Sequence, residues 1–236
     1  MALDASSTAE EREALKMPVS DCVITSTKEY WDRRFEDEGK IWGDRPSRTA
    51  EHALSLFLDK GVRTVLIPGS GYGRNARLFS SAGLEVAGIE ISPIACGMAH
   101  EHDPRTVFFE ASALDMEFLV GHFDAVYCFN VLHLFGEHER AILLRQCAAK
   151  LREGGFLFFT VFSEEETGFG EGPQIEENTF ESKPGRPAHC FTEEDLCGHF
   201  CDFDIVETGL MEDPEDHGDG PHVHMLRYVF AGKPGD

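Results

Sequence analysis

The sequence predicts an α/β fold built on a doubly wound, mostly parallel sheet of seven strands that closes with a C-terminal antiparallel hairpin. Three observations predict it. Short apolar runs bounded by turn residues alternate with helical segments between Val62 and Phe162. The first run, Val65-Leu66-Ile67-Pro68, passes straight into Gly69-Ser70-Gly71-Tyr72-Gly73 and a helix start at Arg74-Asn75. Two further runs near the C-terminus have no helix between them, which makes them neighbours in a hairpin.

Each element has its own local reason. Met1 to about Lys16 mixes Ala, Ser, Thr and Glu with few large apolar side chains, so 1–26 is expected to be a flexible tail rather than a signal peptide or membrane span. Tyr30, Trp31 and Phe35 fall near one helical face, which predicts a short amphipathic helix from Thr27 to about Glu38. A loop from Gly39 to Pro46 carries Ile41 and Trp42. Ser47 is a suitable N-cap for a helix over Arg48–Lys60 that stops at Gly61. Strands follow at Val62–Pro68 and Leu84–Glu90, with a helix from Arg74 to Gly83 between them. A helix over Pro93–His102, a strand at Val107–Ala111 and a strand at Phe123–Phe129 continue the rhythm. A helix from about Glu137 to Leu151 then reaches the turn Arg152-Glu153-Gly154-Gly155 and the strand Phe156–Phe162.

The last third breaks that rhythm. Ser163 to Pro187 is a long polar stretch rich in Gly and Glu, and unstructured stretches of this length in a compact domain are usually functional. Thr192 caps a helix, with Asp195 in the capping-box position. Strands at about Phe203–Leu210 and Val223–Ala231 are joined by the acidic loop Met211–His222. The expected organisation is one domain over 27–236, with 27–60 as a helical lid and 163–188 and 211–222 as candidate acceptor-site loops.

Composition narrows the partners. A chain of 236 residues is long enough for one α/β domain with a sizeable core and short for two. Asp and Glu number 43 against 21 Lys and Arg, a formal charge of −22 with no basic stripe, which argues against nucleic acid and anionic membranes. No apolar run approaches a membrane span. Seven scattered cysteines without a secretory signal are expected to be reduced thiols. A cytoplasmic protein, monomeric or weakly dimeric, is expected.

The glycine loop carries the chemistry. Its glycines let the backbone turn sharply and approach a ligand with no Cβ in the way, and the helix behind it presents an N-terminus. The second strand, Leu84-Glu85-Val86-Ala87-Gly88-Ile89, ends on Glu90, placed to accept hydrogen bonds from both hydroxyls of a ribose. A dinucleotide fingerprint wants a third glycine three residues after the second. Arg74 stands there instead, with Gly73 one step early. This G-x-G-x-G spacing followed by an acid is closer to the S-adenosylmethionine loop of Rossmann-like methyltransferases.

Further motifs extend the likeness. From Tyr30 to the C-terminus the chain resembles the class I S-adenosylmethionine-dependent methyltransferases, with Phe123-Asp124-Ala125-Val126-Tyr127 and Leu151-Arg152-Glu153-Gly154-Gly155 as patterns of that class. Tyr30-Trp31-Asp32-Arg33-Arg34-Phe35, Trp42 and Gly88-Ile89-Glu90-Ile91-Ser92 resemble more narrowly the thiopurine, halide/thiol and tellurite-resistance group, whose members methylate small, soft nucleophiles. The resemblance implies S-adenosylmethionine as cofactor, held by Trp31, Trp42, Pro68, Gly69, Ser70, Gly71, Gly73, Asn75, Glu90, Ile91, Ala113, Asn130 and Val131. Many relatives place an Asp after the third strand to accept from the adenine amine. This chain has Ser112 there and Asp115 three residues on, and either serves.

On the acceptor side, His133 lies just beyond the fourth strand, where ligand crevices open, and could take a proton from a thiol near neutral pH. A hydrogen-bonded structural histidine is the alternative. Tyr30 is the second candidate catalytic side chain. Tyr30, Trp31 and Trp42 either pack the N-terminal helix or form a lid whose aromatic faces meet a sulfonium. Arg186 and His189 are candidate acceptor contacts, Arg186 as a carboxylate clamp. His189, Cys190, Cys197, His199 and Cys201 match no common zinc spacing. His217, His222 and His224, close to Asp213, Glu215, Asp216 and Asp219, could hold a cation, but a solvated loop explains that composition equally well; no metal is expected. The expected function is methyl transfer to a small molecule at sulfur or another soft atom. Alternatives are O- or N-methylation of a polar metabolite, a module that binds the cofactor without turnover, and an NAD-dependent oxidoreductase, which the loop spacing disfavours.

Overall fold

On strand β1 (Thr64–Pro68), Val65 and Ile67 enter one apolar cluster and Leu66 another, and all are buried in a computed structural model that describes residues 21–183, 185–216 and 221–235. β4 (Phe123–Phe129) repeats the alternation, with Ala125 and Tyr127 on the first side and Val126 and Cys128 on the second. Strands buried on both faces belong inside a sheet covered by helices on both sides. Ala50, Ala53 and Phe57 of α2 (Arg48–Asp59), Ala76 and Phe79 of α3 (Arg74–Ser81), and Cys96 and Ala99 of α4 (Pro93–His102) cover the first face. Ile142, Leu143 and Cys147 of α5 (Glu137–Lys150) and Leu196 of α6 (Glu193–His199) cover the second.

The seven-stranded order is β3-β2-β1-β4-β5-β10-β9, with β2 at Glu85–Glu90, β3 at Val107–Glu110, β5 at Leu151–Phe162, β9 at Asp204–Asp216 and β10 at Pro221–Gly232. Pairs from β3 through β5 are parallel, and β10 runs antiparallel to both its neighbours. The expected doubly wound sheet with its closing hairpin is therefore observed. The strand order reverses at β1 and β4, and the crevice outside their carboxyl ends is where open α/β sheets take ligands.

Several elements differ from expectation. The first helix, α1, spans Asp21–Glu38, so helix begins inside the segment expected to be a tail; 1–20 lie outside the described residues. β5 starts at Leu151, because Arg152 to Gly155, with Gly154 at φ 66°, is carried as an irregularity in the β4–β5 pairing rather than as a separate turn. The polar stretch after Ser163 contains a small antiparallel sheet of β6 (Gln174–Glu176), β7 (Thr179–Lys183) and β8 (Arg186–His189). Its turns use Asn178 at φ 54° and Gly185 at φ 71°. The acidic loop is mostly strand as well: Asp213 pairs with His224 and Glu215 with His222 across β9 and β10. Asp213 and Glu215 alternate with exposed Glu212 and Pro214, so the carboxylates face inward and need partners there. His217 and Asp219 lie outside the described residues, as does the side chain of Asp216.

Ser47 caps α2 as expected, its Oγ accepting from Ala50 N–H at 3.0 Å, and Gly61 at φ 70° follows the helix. Thr192 caps α6 by accepting from Asp195 N–H at 3.1 Å, but no capping box closes. The Asp195 carboxylate is drawn instead to His189 Nε2 at 2.6 Å and His199 Nδ1 at 3.2 Å. Thr192→Ala is expected to cost about 1 kcal/mol, read as a lower urea midpoint with unchanged slope. No helix among the described residues is long and apolar enough to cross a membrane.

Candidate active site

A cavity of about 810 Å³ opens outside the carboxyl ends of β1 and β4. Gly69, Ser70 and Gly71 form part of its wall. Gly69 has φ 65°, and a Cβ there would lie 2.4 Å from Val131 Cγ2, so only glycine lets the loop pass beneath the end of β4. Gly73 does not line the cavity. At φ 83° it starts α3, and a Cβ would meet Phe108 Cζ at 3.1 Å and Ala99, so it serves close packing on α4 and β3. Pro68, buried at the end of β1, is also absent from the wall.

Glu90 joins the loop to the next strand. Its Oε2 accepts from Gly71 N–H at 2.8 Å and its Oε1 from Ser92 N–H at 2.9 Å. The side chain faces the cavity at only 5% exposure, and burial raises its pKa against the opposing pull of those backbone donors. A carboxylate offers about four acceptor sites, so capacity remains for a ligand hydroxyl. Ile91, Ser112, Ala113 and Val131 line the same cavity, and Ser112 Oγ accepts from Leu114 N–H at 3.2 Å. Asp115 is exposed, off the wall, and accepts from Glu117 N–H at 3.3 Å. Asn75 reaches the wall while its Oδ1 accepts from Ser47 N–H at 3.0 Å. Asn130, at φ 53°, turns the chain out of β4, and its buried Oδ1 has no partner at the cavity wall.

The N-terminal aromatics close one side. Tyr30, Trp31 and Trp42 all line the cavity, and Trp42 stacks on Tyr72 of the glycine loop with ring centroids 6.1 Å apart. The Tyr72 hydroxyl donates to Gly43 O at 2.7 Å and accepts from Trp42 N–H at 3.0 Å, tying this cover to the loop. The ring faces already carry cations: Arg34 sits 5.7 Å over Trp31 and 5.6 Å over Trp42, and Arg186 sits 4.8 Å over Tyr30. Guanidinium groups therefore meet these rings at cation–π distance.

His133 lies in a 3₁₀ turn, Leu132–Leu134, directly after β4, and lines the cavity at 3% exposure. Its Nδ1 has no partner, and its ring stacks on Phe162 at 3.9 Å. Burial, aided by the charge of Arg186, pulls its pKa well below the ordinary value. Arg186 also lines the cavity, delivered by β8. His189 does not: its Nδ1 pairs with Thr179 Oγ1 at 2.7 Å and its Nε2 with Asp195, locking β7, β8 and α6 together. Phe162, Glu215, His222 and His224 also line the cavity. In the sequence His222, His224 and Glu215 stood out only as a possible cation cluster, since Glu215 faces inward only once β9 pairs with β10.

Residues 66–159 match a family model described as a methyltransferase domain. A curated relative, the glycine/sarcosine N-methyltransferase of Parasynechococcus marenigrum (strain WH8102), is 28% identical over 141 residues, 57% of this chain and 48% of that protein. The chain thus spans about half the length of the curated relative it matches. Among solved structures, one concerned with conversion of a disulfide bond into a thioacetal group during echinomycin biosynthesis aligns with TM-score 0.70 at 17% identity, over 88% of this chain and 92% of that one. The 1,6-didemethyltoxoflavin-N1-methyltransferase of Burkholderia thailandensis, solved with 1,6-didemethyltoxoflavin and S-adenosylhomocysteine, aligns with TM-score 0.68 at 19% identity over 93% of each chain. These likenesses show that the chain has the Rossmann-like fold of those structures.

Proposed function

We propose that the chain transfers a methyl group from S-adenosylmethionine to a small-molecule acceptor, at sulfur or another soft atom. One observation carries this reading: a single cavity runs from the glycine loop and Glu90 to His133 and Arg186, so the donor and acceptor ends share one chamber. The residues fit the cofactor on three counts. Gly69 sits where a Cβ would collide with Val131 of the chamber wall, Glu90 keeps acceptor sites for ribose hydroxyls, and Asn130 Oδ1 is a buried acceptor wanting a donor.

When bound, S-adenosylmethionine supplies a methyl group already activated on a sulfonium, so the protein has mainly to align the partners and exclude water. Backbone groups of Gly69 to Gly71 and the Glu90 carboxylate hold the donor, with Ser112 rather than exposed Asp115 on the adenine side. Tyr30, Trp31 and Trp42 cover the chamber. His133, neutral because burial depresses its pKa, accepts the acceptor's proton, and Arg186 attracts an anionic group on the acceptor. The motif likeness to the thiopurine, halide/thiol and tellurite-resistance group supports a soft nucleophile, as does a structural relative tied to sulfur chemistry.

Incubation with methyl-labelled cofactor and a panel of thiols, halides, selenium and arsenic species, amines and phenols tests the reading. Label on sulfur, selenium, arsenic or halide is expected. Transfer solely to nitrogen, the chemistry named for the cyanobacterial relative, or solely to oxygen overturns the soft-atom preference. Glu90→Ala is expected to weaken cofactor binding by about tenfold to a hundredfold, the worth of hydrogen bonds to a charged acceptor. Calorimetry giving parental affinity would remove Glu90 from the site.

A further inference from the structure

Glu166 and two imidazoles meet beside the acceptor end of the chamber without a role in holding the donor. Glu166 lies in the turn after β5, and His222 and His224 project from one face of β10 as an i, i+2 pair. Glu166 Oε1 is 2.9 Å from His224 Nδ1 and 3.6 Å from His222 Nε2, and one ligand atom from each residue lies within 4.8 Å of the others. Donors about 2.0–2.2 Å from a tetrahedral metal stand about 3.3–3.5 Å apart, so small side-chain adjustments would accommodate an ion.

The surroundings are those of a cation site. Glu166 Oε2 is anchored by Met225 N–H at 3.0 Å, which leaves Oε1 aimed at the imidazoles. The other nitrogen of His224, Nε2, lies 3.5 Å from Glu215 Oε2, the carboxylate-behind-histidine arrangement that orients a metal-binding imidazole. Asp213, paired with His224 across the strands and 2% exposed, adds a carboxylate whose Oδ2 has no partner. Against these three carboxylates the group sets the guanidinium of Arg74. His222 and His224 line the main chamber and also a smaller neighbouring cavity of about 290 Å³ that Glu166 shares.

We infer that Glu166, His222 and His224 bind one divalent transition-metal ion, with its remaining coordination position open to the acceptor end of the chamber. Two imidazoles and one carboxylate are a donor set for borderline ions such as Zn²⁺ or Fe²⁺, and three protein ligands leave room for an exogenous one. Phe162 stacks with both His133, at 3.9 Å, and His224, at 5.3 Å, so the site lies one aromatic ring from the proposed base. An acceptor heteroatom is the ligand that open position takes; this second part alone rests on the methyl-transfer reading.

The test uses the full chain stripped of metal by chelator, then titrated with Zn²⁺ by equilibrium dialysis and with Co²⁺ by visible absorption. One equivalent per chain is expected, with ligand-field bands that shift when an accepted methyl acceptor is added. Glu166→Gln, nearly isosteric, and the double variant His222→Ala/His224→Ala are each expected to lower metal affinity at least tenfold. Cofactor binding by calorimetry, unchanged in both, shows that they fold and that loss of metal is separate from any failure of the donor site. Failure of the parent protein to bind an equivalent, or undiminished binding in the double variant, overturns the site. Metal binding without any acceptor-dependent spectral shift overturns the acceptor role.

Discussion

His133→Ala is expected to lower kcat by about 10²–10⁴-fold with an acceptor that must lose a proton, the usual worth of a positioned base, while leaving cofactor affinity unchanged. The turn out of β4 at Asn130 carries His133 to the chamber wall, where Nδ1 has no protein partner and Phe162 fixes the ring plane. Burial comes first among the causes of its depressed pKa and the nearby Arg186 charge second. The sign follows directly. A histidine whose folded pKa lies below 6.5 is neutral at and above neutral pH, so the activity resting on it is present there and is lost as pH falls through the depressed value. In the alanine variant, kcat should instead climb with pH toward the acceptor's own ionisation. A merely structural His133 would reduce stability without changing the shape of that profile. Parental kcat and a parental profile in the variant would remove His133 from the chemistry.

Arg74→Ala is expected to cost about 3–5 kcal/mol of folding stability, as removal of one partner from a buried ion pair does. Arg74 opens α3 and is buried against Glu215 of β9, whose side chain is equally enclosed. The same guanidinium donates to Trp42 O at 3.0 Å and lies 5.2 Å over the Phe129 ring. It therefore binds together the glycine-loop helix, the aromatic cover and the closing hairpin. Without it the buried Glu215 carboxylate loses its guanidinium partner beside Asp213, whose own pKa burial already raises. Urea unfolding measures the loss. Arg74→Met combined with Glu215→Gln should recover most of it, because both charges then go together. A cost under about 1 kcal/mol for Arg74→Ala would mean that the pair is solvated.

Much of the donor half was readable from local signals. Val65 to Asn75 announces strand, glycine turn and helix within one short segment, and Glu90 ends the neighbouring strand. The third glycine lies off the cavity wall for a geometric reason. Gly73 has the loop's spacing, yet its Cα faces Phe108 and Ala99, a neighbour relation that spacing does not encode. Likewise, Ser112 lines the chamber and Asp115 is exposed, which their spacing did not reveal. The β6–β8 sheet left weaker traces, Asn178 and Gly185 at its turns, within a stretch whose composition is that of a loop.

The chamber wall formed by β8, β9 and β10 was much less readable, because its residues arrive from distant segments. Arg74 and Glu215 stand 141 positions apart, and Glu166 meets His224 across 58. In sequence, Met211 to His222 is an acidic run whose plainest description is a solvated loop. Pairing of β9 with β10 turns alternate carboxylates inward, and only then do they acquire partners.

By itself the sequence determined the alternation of strands and helices, the caps at Ser47 and Thr192, the glycine turn and the acid that ends the second strand. Those depend on backbone sterics, turn chemistry and the period of apolar residues, all of which act over a few neighbouring positions. Tertiary structure alone decided which glycine packs and which borders the chamber, that His189 is a strut, and that Glu166, His222 and His224 share one point in space. Burying a charge or an imidazole is tolerable only beside a partner, and the partner's approach is set by the packing of whole elements.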